Sequence, residues 1–207
     1  MFTCKLVLKL LNIKVVKNQE SISSESSLLV ANHLSYIDAL VLFSHYPSLF
    51  ITSQEMRETF LLGKLASLGG CFFVERRKDR RTELTKSLEM ESMKKKMDQN
   101  FNVFLFPEGT SSDGSSVLPF KATFFQLALD HKIKIRPLIV KYEGQNRALV
   151  PWYGEMTFFS HLLGLCRESE IKVRIQELEE VRPEVYSDRF ILAASLHSLM
   201  KETYEQH

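Results

Sequence analysis

Two side chains five residues apart, His33 and Asp38, are the pair in this sequence best placed to do chemistry. An imidazole titrates near neutral pH and can take a proton from a substrate hydroxyl when a carboxylate orients it. Side chains on one helix face meet at intervals of three or four, so an interval of five suits two helical residues poorly. It works if His33 lies in a loop and Asp38 one turn inside the following helix, where the carboxylate can turn back toward the ring. A second reading fits the same residues. Ser35-Tyr36-Ile37-Asp38 has the form of a capping box, with Ser35 as N-cap and Asp38 at the third helical position, which leaves His33 an ordinary loop residue.

The elements around the pair must hold it in place. Leu28 to Ala31 reads as a buried strand running into the His33 loop. Before it, residues 3 to 12 have helical spacing, Ile13 to Val16 reads as a first strand, and residues 21 to 27 form a polar turn. After it, a helix ends at Tyr46-Pro47, and Leu49 to Thr52 is a short strand. Gln54 to Leu68 is helical and closes at Gly69-Gly70. Cys71 to Val74 is an apolar strand that delivers Glu75, Arg76 and Arg77. Residues 82 to 98 are helical, and Val103 to Phe106 is a strand that delivers Glu108, Gly109 and Thr110. A helix over Ala122 to Leu129 precedes a core strand, Ile133 to Val140, in which Pro137 is an irregularity. Leu149 to Tyr153 is a further short strand and Thr157 to Leu165 a short helix. Ile171, Val173 and Ile175 alternate with polar residues in a half-buried strand. Ser187 caps a terminal helix with Leu192, Leu196 and Leu199.

Strands and helices thus alternate, which predicts an α/β fold: a largely parallel mixed sheet flanked by helices, in a single layered domain. In such sheets ligands bind beyond the carboxyl ends of strands. His33, Arg76 and Glu108 each follow an apolar strand, so all three could converge on one edge.

Composition sets outer bounds. A chain of 207 residues, 44% hydrophobic and 25% charged, is long enough to bury a core. A net charge of +2 gives no argument for nucleic acid. Cys4, Cys71 and Cys166 are widely spaced and odd in number, which suits a reducing compartment and no disulfide framework. The sequence has no run of apolar residues long enough to span a bilayer. Leu6, Leu10 and Ile13 recur at helical spacing, with Lys5 and Lys9 on another face and Lys14 and Lys17 beyond. Such a cationic amphipathic start suits an anionic membrane surface, or equally a surface helix packed on the domain. The division expected is a membrane-associating segment, residues 1–18, and a reacting domain, residues 19–207.

Four blocks in order resemble the glycerolipid acyltransferases. Asn32-His33-Leu34-Ser35-Tyr36-Ile37-Asp38 matches their NHxxxxD motif. Gly70-Cys71-Phe72-Phe73-Val74-Glu75-Arg76 resembles the second block, and Phe106-Pro107-Glu108-Gly109-Thr110 matches the third. Ile135-Arg136-Pro137-Leu138-Ile139-Val140 resembles the fourth. The likeness covers roughly residues 6 to 180 and is nearest to the bacterial 1-acyl-glycerol-3-phosphate acyltransferases.

The resemblance implies transfer of an acyl group from acyl-CoA or acyl carrier protein to the sn-2 hydroxyl of lysophosphatidate, forming phosphatidate in phospholipid biosynthesis. It implies no metal or prosthetic group, no nucleic acid, and a peripheral or N-terminally anchored place on the cytoplasmic face of the membrane. A native start upstream of Met1 would also fit a chain without a spanning helix. His33 is then the general base and Asp38 the group that orients it. Arg76 is the candidate for the acceptor phosphate, because a guanidinium matches phosphate oxygens in a fork. A solvated basic turn over residues 76 to 81 is the plain alternative. Glu108, Gly109 and Thr110 complete the substrate-binding set, with Glu108 holding either Arg76 or the His33 loop.

Two departures bear on the acceptor. Ser111 stands where phosphatidate-forming members usually have arginine, and Ser53 where they commonly have lysine. Arg57 or Lys121 could substitute. The run Glu108-Gly109-Thr110-Ser111-Ser112-Asp113-Gly114 with Leu118-Pro119-Phe120, and Trp152-Tyr153-Gly154-Glu155-Met156 before His161-Leu162, is similar to the lyso-ornithine-lipid acyltransferases. That implies the same chemistry on a zwitterionic acceptor. Trp152, Tyr153, Phe158, Phe159, Leu162 and Leu163 could pack as core, line an acyl tunnel or meet the bilayer interface. A lipid-binding or interaction module without turnover is the non-enzymatic alternative.

Overall fold

The computed structural model describes residues 2–18, 26–53, 72–74 and 83–206. Seven strands form one sheet: β1 (Ile13–Lys17), β2 (Leu28–Ala31), β3 (Ser48–Ser53), β4 (Phe72–Val74), β5 (Asn102–Leu105), β6 (Ile135–Glu143) and β7 (Ile171–Glu177). Their order is β1-β7-β6-β2-β5-β3-β4. Only the β6–β7 pairing is antiparallel, so the sheet is mixed but largely parallel, as the alternation of elements predicts. The helices among the described residues are α1 (Phe2–Leu10), α2 (Tyr36–His45), α3 (Glu83–Met97), α4 (Phe125–His131), α5 (Phe158–Cys166) and α6 (Arg189–Gln206).

Central β2 explains the layering. All four of its side chains are buried, because strands of a parallel sheet are covered on both faces. Successive side chains point to opposite faces. Leu29 and Ala31 pack with Leu8 of α1, Val41 and Leu42 of α2, and Leu165 of α5. Leu28 and Val30 pack with Met93 of α3, Phe125 of α4, and Leu192 and Leu196 of α6. One layer therefore holds α1, α2 and α5, and the other α3, α4 and α6.

Several boundaries differ from the sequence expectation. No strand forms over Leu149 to Tyr153; a 3-10 turn at Arg147–Leu149 leads into irregular chain. The Trp152 amide there donates to the Leu34 carbonyl at 2.8 Å, so the segment is tied to a loop, and it has no strand partner among the described residues. The α4 helix starts at Phe125, three residues later than its composition suggests, and Lys121 before it donates its amide to the Pro107 carbonyl at 2.9 Å. Strand β6 runs on to Glu143 because Lys141, Tyr142 and Glu143 gain partners in β7. Its Pro137 sits where Ile135–Leu138 faces the longer stretch Glu177–Val181, a bulge at which a missing amide hydrogen costs little. The helix expected over Gln54 to Leu68 and its glycine cap lie outside the described residues.

Strands β2 and β5 are parallel neighbours, with Leu28 beside Val103 and Val30 beside Leu105. Their carboxyl ends open on the same edge. The chain leaving Ala31 and the chain leaving Leu105 therefore emerge side by side.

Candidate active site

The first turn of α2 organises the site. Ser35 is its N-cap, with the hydroxyl accepting from the Ile37 amide at 3.4 Å, and Asp38 returns a bond from the Ser35 amide at 2.9 Å. The same Asp38 Oδ2 accepts the Leu34 amide at 2.6 Å and faces His33 Nδ1 at 3.0 Å. The capping box and the His–Asp pair are thus one arrangement, sharing one carboxylate oxygen. The other oxygen, Oδ1, accepts the Tyr142 hydroxyl at 2.7 Å. Asp38 is fully buried. Burial, with the Asp38 charge beside it, pushes the Tyr142 phenol well above its ordinary range, so the hydroxyl keeps its proton and stays a donor.

With Nδ1 turned to a carboxylate, the proton of a neutral ring resides on Nδ1 and Nε2 is left as the base. The His33 ring stacks on Phe106, with centroids 4.1 Å apart and planes at 17°. Its side chain remains 22% exposed, so a reacting group can reach it.

The loop after β5 holds the His33 backbone. Glu108 Oε1 accepts the His33 amide at 2.7 Å and Oε2 accepts the Leu118 amide at 2.9 Å. Ser112 donates its amide to the His33 carbonyl at 2.9 Å. Burial pushes the Glu108 carboxyl up to about 7, against the two amides that pull it down. Gly109 closes the turn by donating to the Phe106 carbonyl at 3.1 Å, with φ of 72°, where a side chain is strained. A Cβ there would also meet the Lys121 ammonium. Thr110 is exposed, and the Ser111 hydroxyl donates to the Trp152 carbonyl.

An aromatic cluster adjoins this loop. Tyr36 packs on Trp152 and Phe158, and its hydroxyl meets His161 Nδ1 at 3.0 Å. Burial lowers the His161 imidazole and raises the Tyr36 phenol. The aromatic and apolar residues here divide: Trp152, Phe158 and Leu162 are partly buried, whereas Tyr153, Phe159 and Leu163 are exposed.

His33, Asp38, Glu108 and Gly109 therefore come together at the ends of β2 and β5, with Thr110 on the rim. Arg76 lies outside the described residues, as do Arg77 and Arg57. Lys121 lies against Gly109. Among the described residues no three His, Cys, Asp or Glu side chains gather as metal ligands. Sequence reasoning missed Tyr142, Ser112 and the stacking face of Phe106. Tyr142 was findable: it continues by two the alternation of Leu138 and Val140, which face the α2 layer. Ser112 carried no such signal.

The family profile described as Acyltransferase matches residues 12–141. A lyso-ornithine lipid O-acyltransferase of Rhizobium meliloti is 29% identical over 195 residues, covering 87% of this chain and 65% of its own. A 1-acyl-sn-glycerol-3-phosphate acyltransferase of Neisseria meningitidis serogroup B is 31% identical over 150 residues, covering 72% of this chain and 57% of its own. In fold, the chain is similar to the crystal structure of the 1-acyl-sn-glycerophosphate (LPA) acyltransferase PlsC from Thermotoga maritima. That match has a TM-score of 0.67 at 21% identity and covers 98% of this chain and 76% of the other. The chain spans 65% and 57% of the length of the two curated relatives.

Proposed function

This chain belongs to the acyltransferase family, and from that premise we propose that it transfers a fatty acyl group from a thioester donor to the free sn-2 hydroxyl of lysophosphatidate. The observation that carries this reading is the 3.0 Å contact of His33 Nδ1 with buried Asp38, on a ring that remains 22% exposed. The acceptor hydroxyl gives its proton to His33 Nε2 as its oxygen attacks the thioester carbonyl carbon. Asp38 stabilises the imidazolium that forms. The carbon–sulfur bond then breaks, and the proton passes from Nε2 to the leaving thiolate. An activated thioester needs no serine nucleophile. The amides of His33, Leu34 and Ser35 are taken up by carboxylates, so the negative charge on the tetrahedral oxygen is met by other donors.

Glu108 positions the His33 loop, and Gly109 and Thr110 border the acceptor. Arg76 is assigned to the acceptor phosphate, and Lys121, lying against Gly109, adds a second cation. Residues 1–18 meet the cytoplasmic face of the membrane, and residues 19–207 carry the reaction. Among the described residues no helix is long and apolar enough to cross a membrane. Acyl-CoA or acyl carrier protein is the donor.

One observation favours a second acceptor. The Ser111 side chain is spent on the Trp152 carbonyl, at a position where phosphatidate-forming members usually carry a cation. A zwitterionic acceptor such as lyso-ornithine lipid asks for less positive charge there. The test presents each lysolipid separately, with acyl-CoA and then acyl carrier protein as donor, beside His33→Ala. Turnover on lysophosphatidate that disappears in the variant is the expected result. Turnover on lyso-ornithine lipid alone would transfer the assignment, and silence with both donors would sink it.

A further inference from the structure

The α5 helix has two apolar sides. Phe158 and Leu162 turn inward, Phe158 onto Tyr36 and Leu162 onto the core that Leu165 joins. One residue on from each, Phe159 and Leu163 point outward, 69% and 57% exposed. Tyr153 and Met156, in the turn before the helix, are exposed as well. The sequence of α5, FFSHLLGLC, contains no Asp, Glu, Lys or Arg. Single exposed apolar residues are ordinary, but a patch of this kind on an uncharged helix marks a contact surface.

The location of the patch identifies its occupant. Helix α1 lies in the same layer and exposes Phe2, Leu6 and Leu10 at intervals of four, flanked by Lys5 and Lys9. Leu8 and Leu165 share one core, and Asn12 Nδ2 donates to the Glu168 carbonyl at 3.2 Å, so the C-terminal ends of α1 and α5 adjoin. Neither helix contains a carboxylate. An anionic lipid surface accepts both the apolar stripe and the lysines of α1, with exposed Glu155 confined to the turn before α5. Trp152 and Tyr153, amphipathic aromatics, suit the headgroup level. At its inner side α5 is locked by Phe158 and His161 onto Tyr36, the first residue of α2, three residues from His33.

We propose that α5 is a second membrane-contacting element, seating Phe159 and Leu163 in an anionic bilayer surface beside α1 so that the His33 loop opens onto the lipid. This deepens the lysolipid reading, on which it rests for the purpose of the contact, yet vesicle binding is read without turnover. Trp152 is the single tryptophan of the chain and packs against Tyr36 at the start of α2, beside α5, so it reports the contact directly. The experiment mixes the full chain with vesicles of equal parts phosphatidylcholine and phosphatidylglycerol, the phosphatidylcholine brominated in its acyl chains. Trp152 emission is expected to shift to the blue and be quenched. The double variant Phe159→Ser/Leu163→Ser should lose about tenfold in vesicle affinity while unfolding at the same temperature as the parent, since both side chains are exposed in the folded chain. Unchanged vesicle affinity in that variant would overturn the proposal. So would unquenched Trp152 in vesicle-bound parent protein, or a dimer in solution that the variant disrupts. A variant that loses vesicle affinity in a chain without acyl transfer would leave the membrane contact standing and remove the acyltransferase reading instead.

Discussion

Asp38 Oδ2 serves helix and histidine at once, so its replacement separates the two services. In Asp38→Asn the side chain keeps its shape, but the group that fixes the His33 tautomer is gone. We expect kcat to fall by about 10³–10⁴-fold with KM little changed, measured at saturating acceptor. His33→Ala removes the proposed base itself and should cost no less than Asp38→Asn. Glu108 gives a prediction in pH. Its carboxyl holds a proton up to about 7 in the folded chain, against an ordinary value of 4.5. Folding therefore takes up a proton between those values, and the stability that Glu108 contributes is full below the lower one and lost as pH rises through the upper. Relative to Glu108→Gln, the parent should lose roughly 3 kcal/mol between about pH 4 and pH 8, read from denaturant midpoints of both proteins. A constant difference across that range would show that Glu108 ionises as an ordinary carboxyl.

Among elements, the junction of β2 with the His33 loop depends on Asn32. Its side-chain amide donates to the Val140 carbonyl at 2.9 Å, and its Oδ1 accepts the Val140 amide at 2.7 Å. The ladder between β2 and β6 thus continues one residue past Ala31, through a side chain, while the main chain turns away. Asn32→Ala leaves both groups of Val140 without these partners in a buried place. It should cost about 3 kcal/mol in a urea titration and loosen His33 in the same step. Asn32 was visible in the motif from the start, but its partner was not, since Val140 lies 108 residues away. The α2 cap was legible, because a capping box is written within four consecutive residues and depends on nothing beyond them.

At the scale of the whole molecule, the end of α2 far from His33 is held by a buried ion pair. Arg136 of β6 meets Glu177 of β7, and the Tyr46 hydroxyl donates to the same carboxylate at 3.1 Å. Replacing one partner of such a pair costs about 3–5 kcal/mol, because the other charge stays buried. Glu177→Gln should therefore lower the unfolding temperature while leaving kcat nearly unchanged at a temperature where the variant remains folded. A matching fall in kcat would instead couple this end of α2 to the site. The Arg136–Pro137 end of block four thus belongs to the framework, whereas its Val140 end meets Asn32 beside the His33 loop.

What the sequence determined by itself is what neighbours in the chain decide. Alternation and helical spacing yielded the strands and helices, and their order implied a parallel sheet with sites at its carboxyl edge. The interval from His33 to Asp38 was enough to place one in a loop and the other a turn inside a helix. Only the tertiary structure decided which strands lie side by side, and with that which loops meet. β5 sits next to β2 although 70 residues separate them, so Glu108 reaches the His33 amide. β6 brings Tyr142 over Asp38, and the segment Leu149 to Tyr153 braces Leu34 through the Trp152 amide. Such contacts carry no local pattern. They follow from strand order and from the burial of both sheet faces, which are properties of the packed chain and of no single segment.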